Sequence, residues 1–484
     1  MKNSSKHTDE SATQSVAKDF IKLTTAGEPI QIGFTDQKVS AHAGLSAFVG
    51  FLHWHRLVKV LEAVLPQSRS NHCYPAQDLA LGFITGILCG AKKLTHVAFL
   101  RRDACLPKLL QVQALGSEPT LSRFFGRFKG AGANLRSFSP LWKWCLERLP
   151  SLSGGYTLDL DSTQLLHEDN LQAEGVQTGH TARGFKRCLN PLLAFLAEPR
   201  LVAGFWLRPG NTISFNNVIA FTLWVLELLP RHVRIGLVRA DSGFCLQAWL
   251  ELLEAQHLRY IVVGKLHEPV RHLLRKEQAW TSTEIAGTAV SQCMYQGPDW
   301  PQARRVVLVR HQDLPGKRSG GKQLLEVPGY RFQVLVTNLG WEVPPLEVWR
   351  RYNGRAGSEN VIKELDQDFG LPQICLKKFW STEAALSLTI WAYNLCTLFQ
   401  RHLGWMDKVT ANTLRFRLFS TGGILSRTGG LTTIRLAVPS HERDWWRRLF
   451  EKLVSPFPNC NAVEAWPPAG PAIALKTSRE ITPI

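Results

Sequence analysis

The stretch that most constrains this chain is Tyr156-Thr-Leu-Asp-Leu-Asp-Ser-Thr163. Its alternation predicts a strand with Leu158 and Leu160 on one face and Asp159 and Asp161 on the other. Carboxylates are depleted in strand interiors, so two of them at i and i+2 in a β-forming run need a reason. A solvated strand face would account for one such Asp. It does not account for the recurrence. Val233–Ala240 reads as a second short apolar strand and runs into Asp241-Ser-Gly-Phe244. A third carboxylate, Glu359, follows within Tyr352-Asn-Gly-Arg-Ala-Gly-Ser-Glu-Asn-Val-Ile-Lys363. Two Asp at strand ends and a Glu on a late helix can together hold two divalent cations.

The chain has 484 residues, enough for two to four domains and a large core. Lys plus Arg exceed Asp plus Glu by 57 − 39 = 18, an excess that favours a polyanionic partner, nucleic acid before membrane. The ten Cys are scattered with no C-x-x-C pair, which gives no zinc or dithiol motif and suits a reduced compartment. The polar N-terminus shows no secretory signal, and no uncharged apolar run reaches membrane-spanning length. These features lead to the expectation of a soluble, cytoplasmic protein without a membrane partner.

Along the chain, residues 1–40 read as a loose leader with a short extended piece near Ile30–Phe34. Residues 41–150 read as a helical DNA-binding domain. Within it, Pro119-Thr-Leu-Ser-Arg-Phe-Phe-Gly-Arg-Phe-Lys129 places Arg123 and Arg127 at helical spacing as candidate DNA contacts. A strand at 156–163, a polar loop with Lys186 and Arg187, and strands at Pro191–Ala197 and Leu201–Leu207 come next. A helix over Ser214–Leu229, the strand at 233–240, a helix from Leu246 to Gln256 and a strand at Tyr260–Gly264 complete the series. Three strands, helix, strand, helix, strand is the order of an RNase H-like core, in which the first strand lies beside the fourth. Asp161 and Asp241 would then meet. The expected fold is α/β: an RNase H-like mixed sheet flanked by helices, formed by 151–264 plus 346–400. A β-rich insertion at 265–345 contains strands at Arg304–Arg310 and Tyr330–Thr337. Residues 401–484 read as a C-terminal helical region, with a basic helix at Glu442–Leu453, and a Pro-rich tail.

The chemistry follows from the donors. Phosphodiester cleavage needs an activated oxygen nucleophile, a stabilised leaving oxygen and relief of phosphate charge. Two Mg²⁺ ions held by carboxylates supply all three. On one continuous helix, Tyr352, Arg355, Glu359, Lys363 and Asp366 would share a face within about 80°. A salt-bridged surface helix would also show the Glu359–Lys363 spacing.

The runs Leu158-Asp-Leu-Asp-Ser-Thr163, Asn190-Pro-Leu-Leu-Ala-Phe195, Arg239-Ala-Asp-Ser-Gly-Phe244 and Tyr352–Glu364 resemble the DDE transposases of bacterial insertion sequences. The resemblance is to the branch with a β insertion before the catalytic Glu, and it runs from about Asp78 to about Leu453. It implies an RNase H-like endonuclease active in DNA recombination and transposition. Such an enzyme depends on Mg²⁺, with Mn²⁺ as a substitute. It binds the terminal inverted repeats and target DNA, cleaves, transfers strands, and works as a homodimer in the synaptic complex. Residue by residue, the catalytic and metal-binding triad would be Asp161, Asp241 and Glu359, with Asp159 the alternative first ligand. Tyr352, Arg355, Lys363, Lys186 and Arg187 would join Arg123 and Arg127 on DNA. The family's final Lys falls on Asp366, a departure. The alternatives are an inactive or repurposed DNA-binding protein, and an RNase H-like nuclease without strand transfer.

Overall fold

The computed structural model describes residues 20–23, 30–68, 70, 72–170, 172–181, 184–275, 279–298, 300–313, 321–324, 327–405 and 407–454. Its centre is a sheet built around β1 (Tyr156–Ser162). β2 (Leu192–Leu196) runs antiparallel to it, with Leu158 opposite Leu196, and β3 (Leu201–Trp206) lies antiparallel outside β2. On the other side, β4 (Ile235–Ala240) and β5 (Tyr260–Val263) both run parallel to β1. The spatial order 3-2-1-4-5, with these directions, is that of the expected RNase H-like core. β2 lies inside the sheet between β1 and β3, and its continuous apolar run, buried at all five positions, reads as a strand covered on both faces.

The insertion does not stand apart from this sheet. β6 (Thr288–Tyr295), β7 (Arg304–Gln312) and β8 (Val327–Thr337) form an antiparallel meander whose last strand pairs with β5, Ile261 opposite Thr337. A bare β5 edge would leave unpaired N–H and C=O groups, and β8 satisfies them. With the short strands Thr281–Ser282 and Lys322–Leu324, the sheet reaches ten strands among the described residues. The sequence reading missed β6, whose Ser291, Gln292 and Cys293 break the apolar alternation. Residues 314–320 of the insertion lie outside the described residues.

Among the helices are α1 (Ala131–Leu146), α2 (Val218–Leu228), α3 (Gln247–Ala255), α4 (Pro345–Asn353), α5 (Ala356–Gln367) and α6 (Phe379–His402), besides N-terminal ones and Glu268–Arg275. α6 is buried at every position from Ser381 to His402, its polar residues included. Several of its polar groups are pinned to neighbouring backbone. The Asn394 amide brackets the Val202 backbone, accepting its N–H at 2.9 Å and donating to its carbonyl at 2.7 Å. The Trp391 indole donates to the Leu141 carbonyl at 3.1 Å. Helices Leu45–Trp54 and Ala76–Leu88 share one continuous apolar core with α6 and the sheet.

At the C-terminal side the structure adds a hairpin where only helix and tail were expected. β9 (Gly423–Thr428) and β10 (Leu431–Leu436) pair with each other, and β9 also pairs with the short strand Lys38–Ser40. Alternating Ile424, Ser426 and Thr428 around Gly429-Gly430 carry the hairpin signal. α7 (Arg443–Leu453) follows as read. Residues 1–19 and the tail from 455 lie outside the described residues. No helix among the described residues is long and apolar enough to cross a membrane.

Candidate active site

The site is built at the carboxyl ends of β1 and β4. Their register pairs Asp159 with Arg239 and Leu160 with Ala240, so Asp161 and Asp241 come next, side by side. Adjacent strands are about 4.8 Å apart, close enough for the two carboxylates to interact. Asp161 accepts the Ser162 N–H on Oδ1 at 2.8 Å, and Asp241 accepts the Gly243 N–H on Oδ1 at 2.8 Å.

Asp159, the alternative first ligand, is spent elsewhere. It is fully buried, receives Arg239 Nε at 2.6 Å and Nη2 at 2.8 Å, and accepts the Ser358 hydroxyl at 2.6 Å. Arg239 also donates to the Arg351 carbonyl at the end of α4. This bidentate pair locks β1, β4 and the helical segment together. Sequence reasoning passed over Arg239 and Ser358. The signal was available: Asp159 and Arg239 each stand two residues before an Asp of the site, so both point to the same sheet face.

Arg355 reaches the site from the α4–α5 junction. Its Nη2 lies 2.8 Å from Asp161 Oδ2 and 3.4 Å from the Leu160 carbonyl. Burial nevertheless raises the Asp161 carboxyl to about 6, against the pull of Arg355 and with help from Asp241 and Glu359. The desolvation cost exceeds what one ion pair returns. Tyr352 is half-buried beside them, its phenol pushed up to about 12, chiefly by burial.

The helical face differs from the expectation of five residues presented alike. α4 ends at Asn353 and α5 begins at Ala356, so Gly354 and Arg355 form a joint. Gly354 permits it: a side chain there would strike the Arg239 guanidinium. Arg355 and Ser358 are buried, while Glu359 and Lys363 are exposed. Lys363 faces a separate cleft of about 490 Å³ with Asn360, Gln367 and Lys408. Asp366 is half-buried, its Oδ1 has no hydrogen-bond partner among the described residues, and burial raises its carboxyl to about 6.

The other expected DNA contacts separate. Arg123 is exposed. Arg127 falls beyond the helix, which ends at Phe125, and donates to the Pro66 carbonyl at 3.0 Å. Packing of Phe124, Phe125 and Phe128 into the core set that turn. Lys186 and Arg187 lie on a strand, Gly184–Leu189, rather than in a loop. Lys186 pairs with Glu168 at 2.8 Å, and Arg187 donates to the Val176 carbonyl at 2.9 Å.

Among the described residues no three His, Cys, Asp or Glu side chains are gathered closely enough to hold a metal ion. The donor set still fits a hard divalent cation. Asp161 and Asp241 offer short carboxylates on rigid strand ends, and Asp161 feels the like charges of both Asp241 and Glu359. Beside Asp241 opens a cleft of about 530 Å³ bounded by Lys265, His267, Lys322, Gln333 and Tyr352. Lys265 is exposed at the end of β5, a basic group that the sequence reading did not single out.

A family model described as "Transposase DDE domain group 1" matches residues 23–456. The chain is also similar to the piggyBac transposase in the cryo-EM structure of its synaptic complex with hairpin DNA. That likeness has 9% sequence identity and a TM-score of 0.43, covering 80% of this chain and 82% of that one. No curated protein matches the sequence.

Proposed function

This chain belongs to the DDE transposases of domain group 1, and from that premise we propose that it is the transposase of a bacterial insertion sequence. It binds the terminal inverted repeats as a homodimer, cleaves DNA at the element ends and joins them to target DNA. The observation that carries this reading is the register that sets Asp161 beside Asp241 at adjacent strand ends, with Arg355 against Asp161.

Asp161, Asp241 and Glu359 would hold divalent cations, Mg²⁺ with Mn²⁺ as a substitute, which would neutralise phosphate charge and activate the attacking oxygen. In cleavage, water attacks the scissile phosphorus and the P–O3′ bond breaks to release a 3′-hydroxyl. In strand transfer, that 3′-hydroxyl attacks a target phosphorus and displaces another 3′-oxygen. Asp159 takes no part as a ligand; with Arg239 it holds β1 and β4 in register. Arg355 orients Asp161 and presents a cation to a bound phosphate, and Tyr352 walls the cleft beside Asp241. Lys265 and Lys322 offer positive charge along the same cleft, and Lys363 and Arg123 extend the contact to more distant backbone.

The test is Mg²⁺-dependent nicking of a duplex carrying the element end. Asp241→Asn should bind that duplex as the parent does and fail to nick it. Robust nicking by Asp241→Asn would overturn the assignment. Nicking by the parent without joining to target would select the nuclease reading.

A further inference from the structure

The β9–β10 hairpin stands out on the surface outside the catalytic cleft. Gly429 and Gly430 both have positive φ, 59° and 82°, which is the two-residue turn whose twist suits a tight hairpin. Every residue from Arg427 to Thr432 is exposed. Six residues per strand give a ribbon about 20 Å long. Its base is held: β9 pairs with Lys38–Ser40, and the Cys105 thiol donates to the Lys38 carbonyl. The ribbon is thus anchored at one end and free at the other.

One of its faces has no cover. Ile424 pairs with Arg435, Ser426 with Thr433 and Thr428 with Leu431, so these six side chains share that face. Leu431 is 70% exposed and Ile424 40%. The chemistry of the ribbon selects a partner. From Lys408 to Ser440 the chain has no Asp or Glu, and Arg427 and Arg435 have no acidic partner among the described residues. The apolar part of the face is Leu431, Ile424 and Val39, which pairs with Ile424, and no acidic group stands on the ribbon to repel phosphate. The ribbon as a whole offers two guanidinium groups, four hydroxyls and an apolar tip, with Arg435, Ser426, Thr428 and Thr433 on the uncovered face and Arg427 and Thr432 on the other; these suit phosphate oxygens, base edges and thymine methyl groups.

We propose that the Gly423–Leu436 ribbon is a DNA-binding element that enters a groove of duplex DNA. A two-stranded ribbon fits the major groove of B-DNA. The inference rests on the transposase reading and adds a contact surface on the C-terminal side, outside the triad and the N-terminal helices.

The test uses the full chain and a fluorescein-labelled random-sequence duplex, with affinity measured by anisotropy over a range of salt. Replacing both Arg427 and Arg435 by Ala should reduce the salt slope by about 2, since each lost phosphate contact removes about 0.9. The melting temperature should not move, because both side chains are exposed. The double Lys variant should keep the parent slope. An unchanged slope in the double Ala variant would overturn the ribbon proposal while leaving the transposase reading intact. A parent protein that binds no duplex even at low salt would overturn both. Light scattering on Leu431→Asp is the remaining arm: a halved mass with unchanged DNA affinity would make the face a contact between copies and overturn the proposal.

Discussion

Arg239 and Asp159 face each other across β1 and β4 as a fully formed bidentate ion pair, with the Asp side chain wholly buried. The pair sits one step down the same sheet face from Asp161 and Asp241. Two Asp residues of identical local sequence character therefore have opposite tasks: one is consumed in holding strands, and the other is available for chemistry.

Asp159→Ala should cost about 3–5 kcal/mol of stability, because it strands the Arg239 charge in the interior. Asp161→Asn should cost much less, because the Asn amide oxygen and the Leu160 carbonyl still accept from Arg355. Chemical denaturation of the two variants separates the roles, and a marked loss of stability for Asp161→Asn would show that it too is structural.

Asp161→Asn, Asp241→Asn and Glu359→Gln should each abolish Mg²⁺-dependent nicking with DNA binding largely retained. Removing one carboxylate takes away a ligand, not a packing contact. Glu359 is exposed, so its Gln variant is the cleanest of the three. Wild-type nicking by Glu359→Gln would remove it from the triad.

Asp366 gives a pH signature. Its carboxyl is raised from 3.8 to about 6 by burial, so the folded state holds its proton more tightly than the unfolded chain does. Stability from this group is full below the unfolded value and is lost as pH rises through about 6. Asp366→Asn should therefore melt above the parent near about pH 8 and close to it near about pH 4. Equal melting temperatures across that range would show that Asp366 finds a cation when folded.

The N-terminal segment should not fold alone. Helices Leu45–Trp54 and Ala76–Leu88 pack into the apolar core that α6 completes, more than two hundred residues later in the chain. A fragment ending near residue 150 should lack cooperative melting and aggregate, as surfaces stripped of such cover do. A soluble fragment with a sharp transition and specific binding to the terminal repeat would restore it as a free-standing DNA-binding domain.

The sequence by itself was enough for the order of the core and for the acidic residues at its strand ends. Alternation in Tyr156–Thr163 and the apolar run before Asp241 are local patterns with a period of two, and they survive folding unchanged. The tertiary structure decided what no local pattern encodes. It separated Asp159 from Asp161 through an Arg eighty positions away, because a buried charge takes whichever opposite charge the register supplies. It broke the helix at Gly354 and Arg355, so that a face drawn on one ideal helix divided into a buried Arg355 and an exposed Glu359. It fused the insertion to β5, because an open strand edge pairs with whatever strand returns to it. It turned Arg127 onto the Pro66 carbonyl, because three Phe side chains claimed the core and set the direction of the chain around them. Periodicity reports which face of an element is apolar; which residues meet across elements depends on contacts between positions far apart in the chain.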